Sequence, residues 1–126
     1  MITQVFAIRG ATTAGDTKDL IFSRTKELLR EIIAANGLDN NPKLTITSII
    51  CSSTADITEA YPAAAIREAG FTPAPLFSCL EPPIKDSLPF CIRLLVNVTS
   101  AASENKTATH VYLHGAVTLR PDLTGK

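Results

Sequence analysis

The sequence predicts an α+β fold in which a mixed β-sheet carries two helices on one of its faces. The first observation is the order of periodicities along the chain, which reads strand, helix, strand, helix and then three strands. The second is the β-rich apolar run 90–98, which alternates with a period of two and forms the predicted central strand. The third is size: 126 residues, 45% of them hydrophobic, suffice for one core, so we expect a single domain over residues 1–126.

The first half of the chain is predicted to place one long helix between two strands. The helix begins where Thr17, or Asp16 before it, can act as N-cap, and it stops at Gly37. Its apolar residues form one stripe, and its charged residues, among them Arg24 and Arg30, alternate in sign on the solvated face. In order, we expect a strand over 3–9 that ends at Gly10, a loop of small residues over 11–15, the helix, a strand over 43–51, and a polar turn over 52–56.

The second half is predicted to add a short helix and three strands. Pro62 suits the first turn of the helix and Gly70 ends it. The prolines of the next strand restrict it to a sheet edge. Because so small a sheet leaves edges and a second face uncovered, we expect an oligomer. In order, we expect a helix over 62–68, a strand over 73–80, the central strand over 90–98, an exposed hairpin loop over 99–107, and a last strand over 110–113.

Composition excludes several classes of function. Lysine and arginine total 12, as do aspartate and glutamate, so the chain lacks the basic footprint that nucleic acid or an anionic membrane requires. The N-terminus has no signal-peptide pattern, and no apolar run approaches about 20 residues, so we expect a cytoplasmic protein. Three cysteines without paired spacing, Cys51, Cys79 and Cys91, are interpreted as reduced core residues.

The sequence shows no metal site and no nucleophilic machinery. The two histidines, His110 and His114, would lie more than about 12 Å apart on a strand with a rise of ~3.3 Å per residue, which is poor geometry for a metal. We interpret both as structural and expect neither a metal nor a cofactor. There is no Gly-x-Ser-x-Gly motif and no glycine-rich phosphate loop.

The arginines are the unusual feature. Alternation places Arg93 on a strand face whose other members are mostly apolar, and a guanidinium there costs on the order of several kcal/mol unless an anion pairs with it. Arg9 ends another apolar strand, Arg67 flanks the short helix, and Arg120 lies in an apolar tail. Each could pair with a carboxylate of the chain or bind an exogenous anion. Arginines without a general base suit binding of a polyanion, or electrostatic catalysis that needs no proton transfer.

Four segments carry a resemblance to a known family. They are Ile-Arg-Gly-Ala-Thr-Thr at 8–13, Tyr-Pro-Ala-x-Ala-Ile-Arg-Glu at 61–68, Cys-Ile-Arg at 91–93, and His-Val-Tyr-Leu-x-x-Ala-Val-x-Leu-Arg-Pro-Asp-Leu at 110–123. With them the chain resembles the monofunctional, bacillus-type chorismate mutases. The resemblance implies a ferredoxin-like protomer, a homotrimer that forms a pseudo-α/β barrel, and conversion of chorismate to prephenate in the cytoplasmic biosynthesis of phenylalanine and tyrosine. It implies no cofactor.

The same resemblance implies roles for particular residues at a site between subunits. Arg93 would face the ether oxygen of chorismate, Arg9 and Tyr112 would hold a carboxylate, and Glu81 would accept a hydrogen bond from the ring hydroxyl. The remaining implied contacts are Arg67 near the other end of the dianion, Tyr61, Phe77, Ser78, Cys79 and Leu119 along the pocket wall, and Arg120 at its mouth.

The chain departs from the family pattern at three places. Ala64 stands where relatives commonly carry a lysine, Tyr61 replaces the usual phenylalanine, and only one residue separates Cys79 from Glu81 where the family has two. These departures leave open a non-catalytic module that binds a small dicarboxylate on the same scaffold. A trimeric deaminase-like enzyme is the third reading, although its chemistry would need an acid–base pair that the sequence does not display.

Overall fold

The computed structural model describes residues 1–70 and 73–119. A five-stranded sheet, in the order β3-β2-β4-β1-β5, is combined with two helices, as the sequence predicted. The β1–β4 and β2–β4 pairs are antiparallel, and the β1–β5 and β2–β3 pairs are parallel, so the sheet is mixed. The elements are β1 (Gln4–Thr13), α1 (Lys18–Ala35), β2 (Leu44–Ser53), α2 (Pro62–Ala69), β3 (Leu76–Leu80), β4 (Cys91–Ser100), β5 (Val111–Tyr112) and a 3-10 turn (His114–Thr118).

The helix ends follow the expected local chemistry. Thr17 caps α1, its hydroxyl accepting a hydrogen bond from the Leu20 N–H at 3.2 Å. Pro62 occupies the first turn of α2, and Gly70 ends that helix with φ +66°, in the left-handed region that glycine adopts at little cost.

Both helices pack on the same face of the sheet, which we call the helix face. One core cluster joins α1, α2 and three strands there, and full burial of each large apolar side chain is worth about 1.5–3 kcal/mol. The cluster contains Ile8, Leu28, Leu29, Ile32, Ile33, Leu44, Ile49, Cys51, Ala63, Ile66, Leu94, Val96 and Val98.

The central strand confirms the predicted alternation. In β4, Ile92, Leu94, Val96 and Val98 are buried on the helix face, whereas Arg93, Leu95 and Asn97 alternate with them and are only half-buried. Neither α1 nor α2 covers the face that carries Arg93, and we call it the open face.

The prediction that β1 ends at Gly10 was wrong, because the strand continues to Thr13. Its register with β4 is unbroken from the Gln4–Ser100 pair to the Thr13–Cys91 pair, so Ala11–Thr13 belong to the ladder and not to a loop. Arg9 therefore lies inside the strand. Gly10 lets α1 pack closely on the strand, since a Cβ there would lie 2.5 Å from the Ile32 Cδ1 atom. The predicted second strand was also too short, because β2 continues to Ser53.

The prediction of a hairpin between the last two strands was also wrong. β5 pairs with β1 and not with β4, so the connection crosses from the centre of the sheet to its edge. Two amide side chains hold that connection by reciprocal hydrogen bonds to the backbone. Gln4 donates to Lys106 O and accepts from Lys106 N–H, both at 2.7 Å, and Asn36 binds Thr109 in the same way at 2.9 and 2.7 Å.

Two of the three cysteines confirm the core assignment. Cys51 and Cys91 are buried, but Cys79 is exposed on the edge strand β3, which has a strand on one side only. Arg24, expected on the solvated helix face, is half-buried and donates to Thr13 O at 2.8 Å. In the described ranges, no helix has the length and apolarity needed to cross a lipid bilayer.

Candidate active site

A single row of paired residues crosses the open face. The register places Cys79 of β3 opposite Ser52 of β2, Ser52 opposite Arg93 of β4, Arg93 opposite Ala11 of β1, and Ala11 opposite Tyr112 of β5. Paired residues point to the same side of a sheet, and neighbouring strands lie about 4.8 Å apart. The sheet thus places Cys79, Arg93 and Tyr112, which are far apart in the sequence, in one row, although only Arg93 and Tyr112 line the same cavity.

Arg93 and Glu81 meet at the centre of this row. Glu81 follows the end of β3, and its N–H donates to Ser53 O at 2.9 Å, which extends the β2–β3 contact by one residue. Its Oε1 atom lies 3.3 Å from Arg93 Nε, and its Oε2 atom accepts a hydrogen bond from the Ser52 hydroxyl. The single residue between Cys79 and Glu81 therefore does not displace the carboxylate from Arg93.

The Arg93 guanidinium has unused hydrogen-bonding capacity. Its side chain is 41% exposed, yet the Nε atom is buried and its N–H completes no hydrogen bond with any described residue. The contact of Nε with Glu81 is close enough for an ion pair, but its geometry does not make a hydrogen bond. A buried donor left without an acceptor costs about 1–3 kcal/mol. Such a donor on a permanent cation is suited to an anionic ligand.

Side chains of the loop after β2 hold the start of β4. The carboxylate of Asp56 accepts hydrogen bonds from the Phe90 N–H at 3.0 and 3.1 Å and from the Thr54 hydroxyl at 2.5 Å. The same Thr54 oxygen accepts from the Cys91 N–H at 2.9 Å. These bonds fix the strand two residues before Arg93, so the guanidinium projects from a rigid segment.

Arg9 and Tyr112 line, together with Arg93, a cavity of about 240 Å³ on the open face. The Arg9 side chain is exposed, and its backbone N–H donates to His110 Nδ1 at 2.9 Å. Tyr112 is 9% exposed and packs with Ala11 and with the partly buried Leu119. The cavity lining includes Arg9, Ile50, Ser52, Arg93, Leu95 and Tyr112. Two cations, hydroxyl groups and apolar walls suit a small anion with a hydrophobic body.

The described residues offer little acid–base or nucleophilic chemistry. Burial is the main reason that the pKa of Cys91 is raised, although the nearby Arg93 lowers it in part, and burial raises the pKa of Cys51 to about 12. Both thiols are thus poor nucleophiles near neutral pH. Residues 1–70 and 73–119 contain no group of three or more His, Cys, Asp or Glu side chains placed to hold a metal ion. His114 instead lies 2.7 Å from Glu27 and serves a structural contact.

The other predicted site residues do not join this cavity. Tyr61, Ser78 and Cys79 line a second cavity of about 540 Å³ beside β3. Its lining also includes Cys51 and Ser53, which alternate with Ser52 along β2 and so point to the helix face. Arg67 and Phe77 are exposed and line neither cavity. Arg120 falls outside the described residues.

Ser52 is the residue that sequence reasoning missed. We expected a polar turn from Ser52 onward, but the strand includes Ser52, which lies opposite Arg93 and donates a hydrogen bond to Glu81. The signal that could have found it is the alternation Ser48, Ile50, Ser52, which continues the open face of β2 by one more step.

Comparison with known proteins identifies the family. The sequence model described as chorismate mutase type I matches residues 5–123. Chorismate mutase AroH of Thermus thermophilus is 41% identical over 120 residues, covering 94% of this chain and 96% of the relative. Chorismate mutase AroH of Bacillus subtilis is 36% identical over 119 residues, covering 93% and 91%. A solved chorismate mutase from Clostridium thermocellum superposes with a TM-score of 0.76 at 39% identity, covering 88% of this chain and 96% of that one. This chain therefore belongs to the chorismate mutase type I family.

Proposed function

We propose that this protein converts chorismate to prephenate in the open-face cavity and thereby serves the cytoplasmic synthesis of phenylalanine and tyrosine. The observation that carries the proposal is the position of Arg93. A permanent cation, whose buried N–H completes no hydrogen bond with a described residue, lies in a cavity that also holds Arg9 and Tyr112, beside the carboxylate of Glu81. Such a site can bind a dianion and stabilise charge, and it needs no proton donor or acceptor for this reaction.

The reaction is a unimolecular [3,3] shift. The ether C–O bond breaks ahead of formation of the new C–C bond, the electron pairs move around a six-membered ring, and no proton is transferred. Negative charge builds on the ether oxygen as the bond lengthens. In our proposal the Arg93 guanidinium donates to that oxygen, and it stabilises the transition state more than the ground state because the charge appears only there.

The groups beside Arg93 order the substrate. We assign a substrate carboxylate to Arg9 and Tyr112, with the side chain of chorismate folded over its ring. We assign the ring hydroxyl to Glu81, which lies beside Arg93 and is half-buried. Holding the reactive, compact conformer removes orientational freedom before the reaction begins, which lowers the entropic part of the barrier.

We further propose that a second copy of the chain completes the site in a homotrimer. Within one copy, the residues beside Arg93 are separated from a second group on α2 and β3. Two members of the second group, Tyr61 and Phe77, are 73% and 68% exposed, which is unusual for side chains of this size unless they meet a partner. The neighbouring copy would supply Arg67, Tyr61, Phe77, Ser78 and Cys79, while Leu119 and Arg120 would close the cavity.

The first test is the loss of chorismate absorbance on addition of purified protein. We expect turnover by the wild type and a fall in kcat of about 10²- to 10³-fold in Arg93→Lys, which keeps the charge but loses the planar fork of donors. Arg30→Lys, the same change at an exposed position of α1, is the matched control and should retain wild-type kcat. A folded wild-type protein that binds prephenate without turning chorismate over would instead be a dicarboxylate-binding module.

The second test asks whether the site lies between copies. Arg93→Ala and Arg67→Ala should each be inactive alone. When the two are unfolded and refolded together, random mixing in a trimer should restore an intact Arg93–Arg67 pairing at about one interface in four. Recovery of about a quarter of wild-type activity supports a shared site. No recovery in a verified mixed oligomer would place both arginines in one copy, and an Arg67→Ala variant that is active alone would make Arg67 dispensable.

A further inference from the structure

We propose that Ser52 is a positioning residue that holds the Glu81 carboxylate in the orientation in which it meets Arg93. The inference rests on the proposed function, because it concerns how that site is arranged. No segment of the family resemblance includes Ser52. Its role follows from where β2 places it and from the atoms that its hydroxyl contacts.

The sheet register gives Ser52 a central position. It lies directly opposite Arg93 on β4 and directly opposite Cys79 on β3, and it points to the open face as they do. Because β2 is paired on both sides, the backbone of Ser52 is held by two ladders. The Ser52 hydroxyl thus projects from a backbone segment that is hydrogen-bonded on both sides.

The contacts divide the two oxygens of Glu81 between two partners. Oε2 accepts the hydroxyl hydrogen of Ser52, and Oε1 lies 3.3 Å from Arg93 Nε. The backbone of Glu81 is held separately, by the bond from its N–H to Ser53 O at 2.9 Å. Without the Ser52 hydroxyl, the polar side-chain contacts of Glu81 with the described residues reduce to one ion pair without hydrogen-bond geometry, with an arginine whose side chain is 41% exposed. An ion pair of that kind orients a carboxylate weakly.

Orientation matters here because both partners of the ion pair act on the substrate in the proposed mechanism. A carboxylate that rotates away from the substrate hydroxyl or covers the guanidinium would reduce the stabilisation that Arg93 gives the ether oxygen. Supporting groups that lock the rotamers of contacting side chains commonly decide whether a site works, even when they never touch the ligand. We therefore expect Ser52 to act through Glu81 and not by itself.

Ser48 offers a matched control on the same strand. It lies on the open face four residues before Ser52, is also half-buried, and accepts a hydrogen bond from Asn97 Nδ2 at 3.0 Å. It is not part of the cavity lining. Ser48→Ala thus removes a strand hydroxyl and its hydrogen bond without touching Glu81.

The test is a double-mutant cycle of Ser52→Ala with Glu81→Ala, measured as kcat/KM for chorismate and as Kd for prephenate. With Glu81 present, we expect Ser52→Ala to lower kcat/KM by about tenfold to a hundredfold, the effect of losing a hydrogen bond to a charged group. In the Glu81→Ala background, we expect Ser52→Ala to change either quantity by less than about twofold. Ser48→Ala should also change kcat/KM and Kd by less than about twofold in either background. An equal loss from Ser52→Ala in both backgrounds would overturn the proposal.

Two further variants separate the hydrogen bond from packing. Ser52→Cys nearly conserves volume but donates weakly, so we expect it to resemble Ser52→Ala, whereas Ser52→Thr keeps the hydroxyl and should recover most of the loss. Crystal structures supply a readout that does not depend on activity. Glu81 should keep one conformer in the wild type and leave it in Ser52→Ala. If the wild type neither turns chorismate over nor binds prephenate, the proposed function fails, and the Glu81 conformers still decide whether Ser52 positions that carboxylate.

Discussion

The two faces of the sheet differ in how far the two helices bury their side chains. On the helix face of β4, Leu94 and Val96 are 2% and 0% exposed, and contacts with α1 and α2 inside the same chain account for their burial. On the open face of the same strand, Arg93 and Leu95 are half-buried, and neither α1 nor α2 covers them. The helix face is explained by packing within one chain, whereas the described residues leave Arg93 and Leu95 of the open face only partly covered.

The largest expected effect is on the free energy of unfolding, and it compares two adjacent leucines that lie on opposite faces of the sheet. Leu94→Ala removes a buried side chain from the core cluster and should lower the free energy of unfolding by about 2–5 kcal/mol at every protein concentration. Leu95→Ala is the same change one residue along, on the open face. Its loss should be smaller and should depend on protein concentration, because any burial of Leu95 by another copy exists only in the assembly. Denaturant unfolding at several concentrations measures both, and identical concentration-independent losses would remove the distinction between the faces.

The second test compares two arginines at β1. Arg9 belongs to the strand, and Arg24 donates a hydrogen bond to it from α1. Arg9→Gln removes a cation from the open-face cavity and should lower kcat/KM for chorismate by about tenfold to a hundredfold, the cost of one charge-assisted hydrogen bond. Arg24→Gln removes a cation whose hydrogen bond goes to Thr13 O, away from that cavity, and should leave kcat/KM within about twofold. Steady-state kinetics with both purified variants measure this difference. Equal losses of kcat/KM would mean that removing a cation lowers activity wherever the cation lies, and not because Arg9 lines the cavity.

The two faces also differ in how far the sequence could predict them. The apolar period placed Leu94 and Val96 in the core and left Arg93 as an anomaly, since one strand suffices to reveal an alternation. The open-face row needs the register of five strands, and register depends on pairings between segments up to a hundred residues apart. That is why Ser52 was read as a turn and why β5 was expected beside β4. In the same way, β1 was cut short at Gly10 because glycine usually ends a strand, while here it admits α1.

Gly10 provides the third test, on the helix face. A Cβ at this position would lie 2.5 Å from Ile32 Cδ1 and 3.1 Å from Leu28 Cδ1, so Gly10→Ala forces α1 to shift or its side chains to leave their rotamers. We expect a loss of about 1–3 kcal/mol in the free energy of unfolding, measured in denaturant. Gly70→Ala is the comparison, because a Cβ there meets nothing within 4 Å and the cost comes only from φ +66°. If Gly10→Ala were as stable as the wild type, close approach would not be the reason for this glycine.

The smallest expected effect is a pH dependence that arises from the helix face. Burial raises the pKa of Cys51 from its ordinary value of 9.0 to about 12, and the neighbouring Cys79 adds to the increase. Below about pH 9 the thiol is protonated in both the folded and the unfolded chain, so its contribution to stability is complete. Above that pH the unfolded chain releases the proton and the folded chain keeps it. Stability should therefore fall by about 1 kcal/mol per pH unit until the folded pKa is reached.

Cys51→Ala isolates this contribution, since every other titrating group remains in both proteins. The variant loses core packing and should start below the wild type at pH 8. As the pH rises from 9 towards 11, the two free energies of unfolding should converge, because only the wild type has a thiol at position 51 whose ionisation favours the unfolded chain. Parallel curves over this range would mean that the folded and unfolded chains ionise Cys51 alike, and that the helix face admits water near β2 after all.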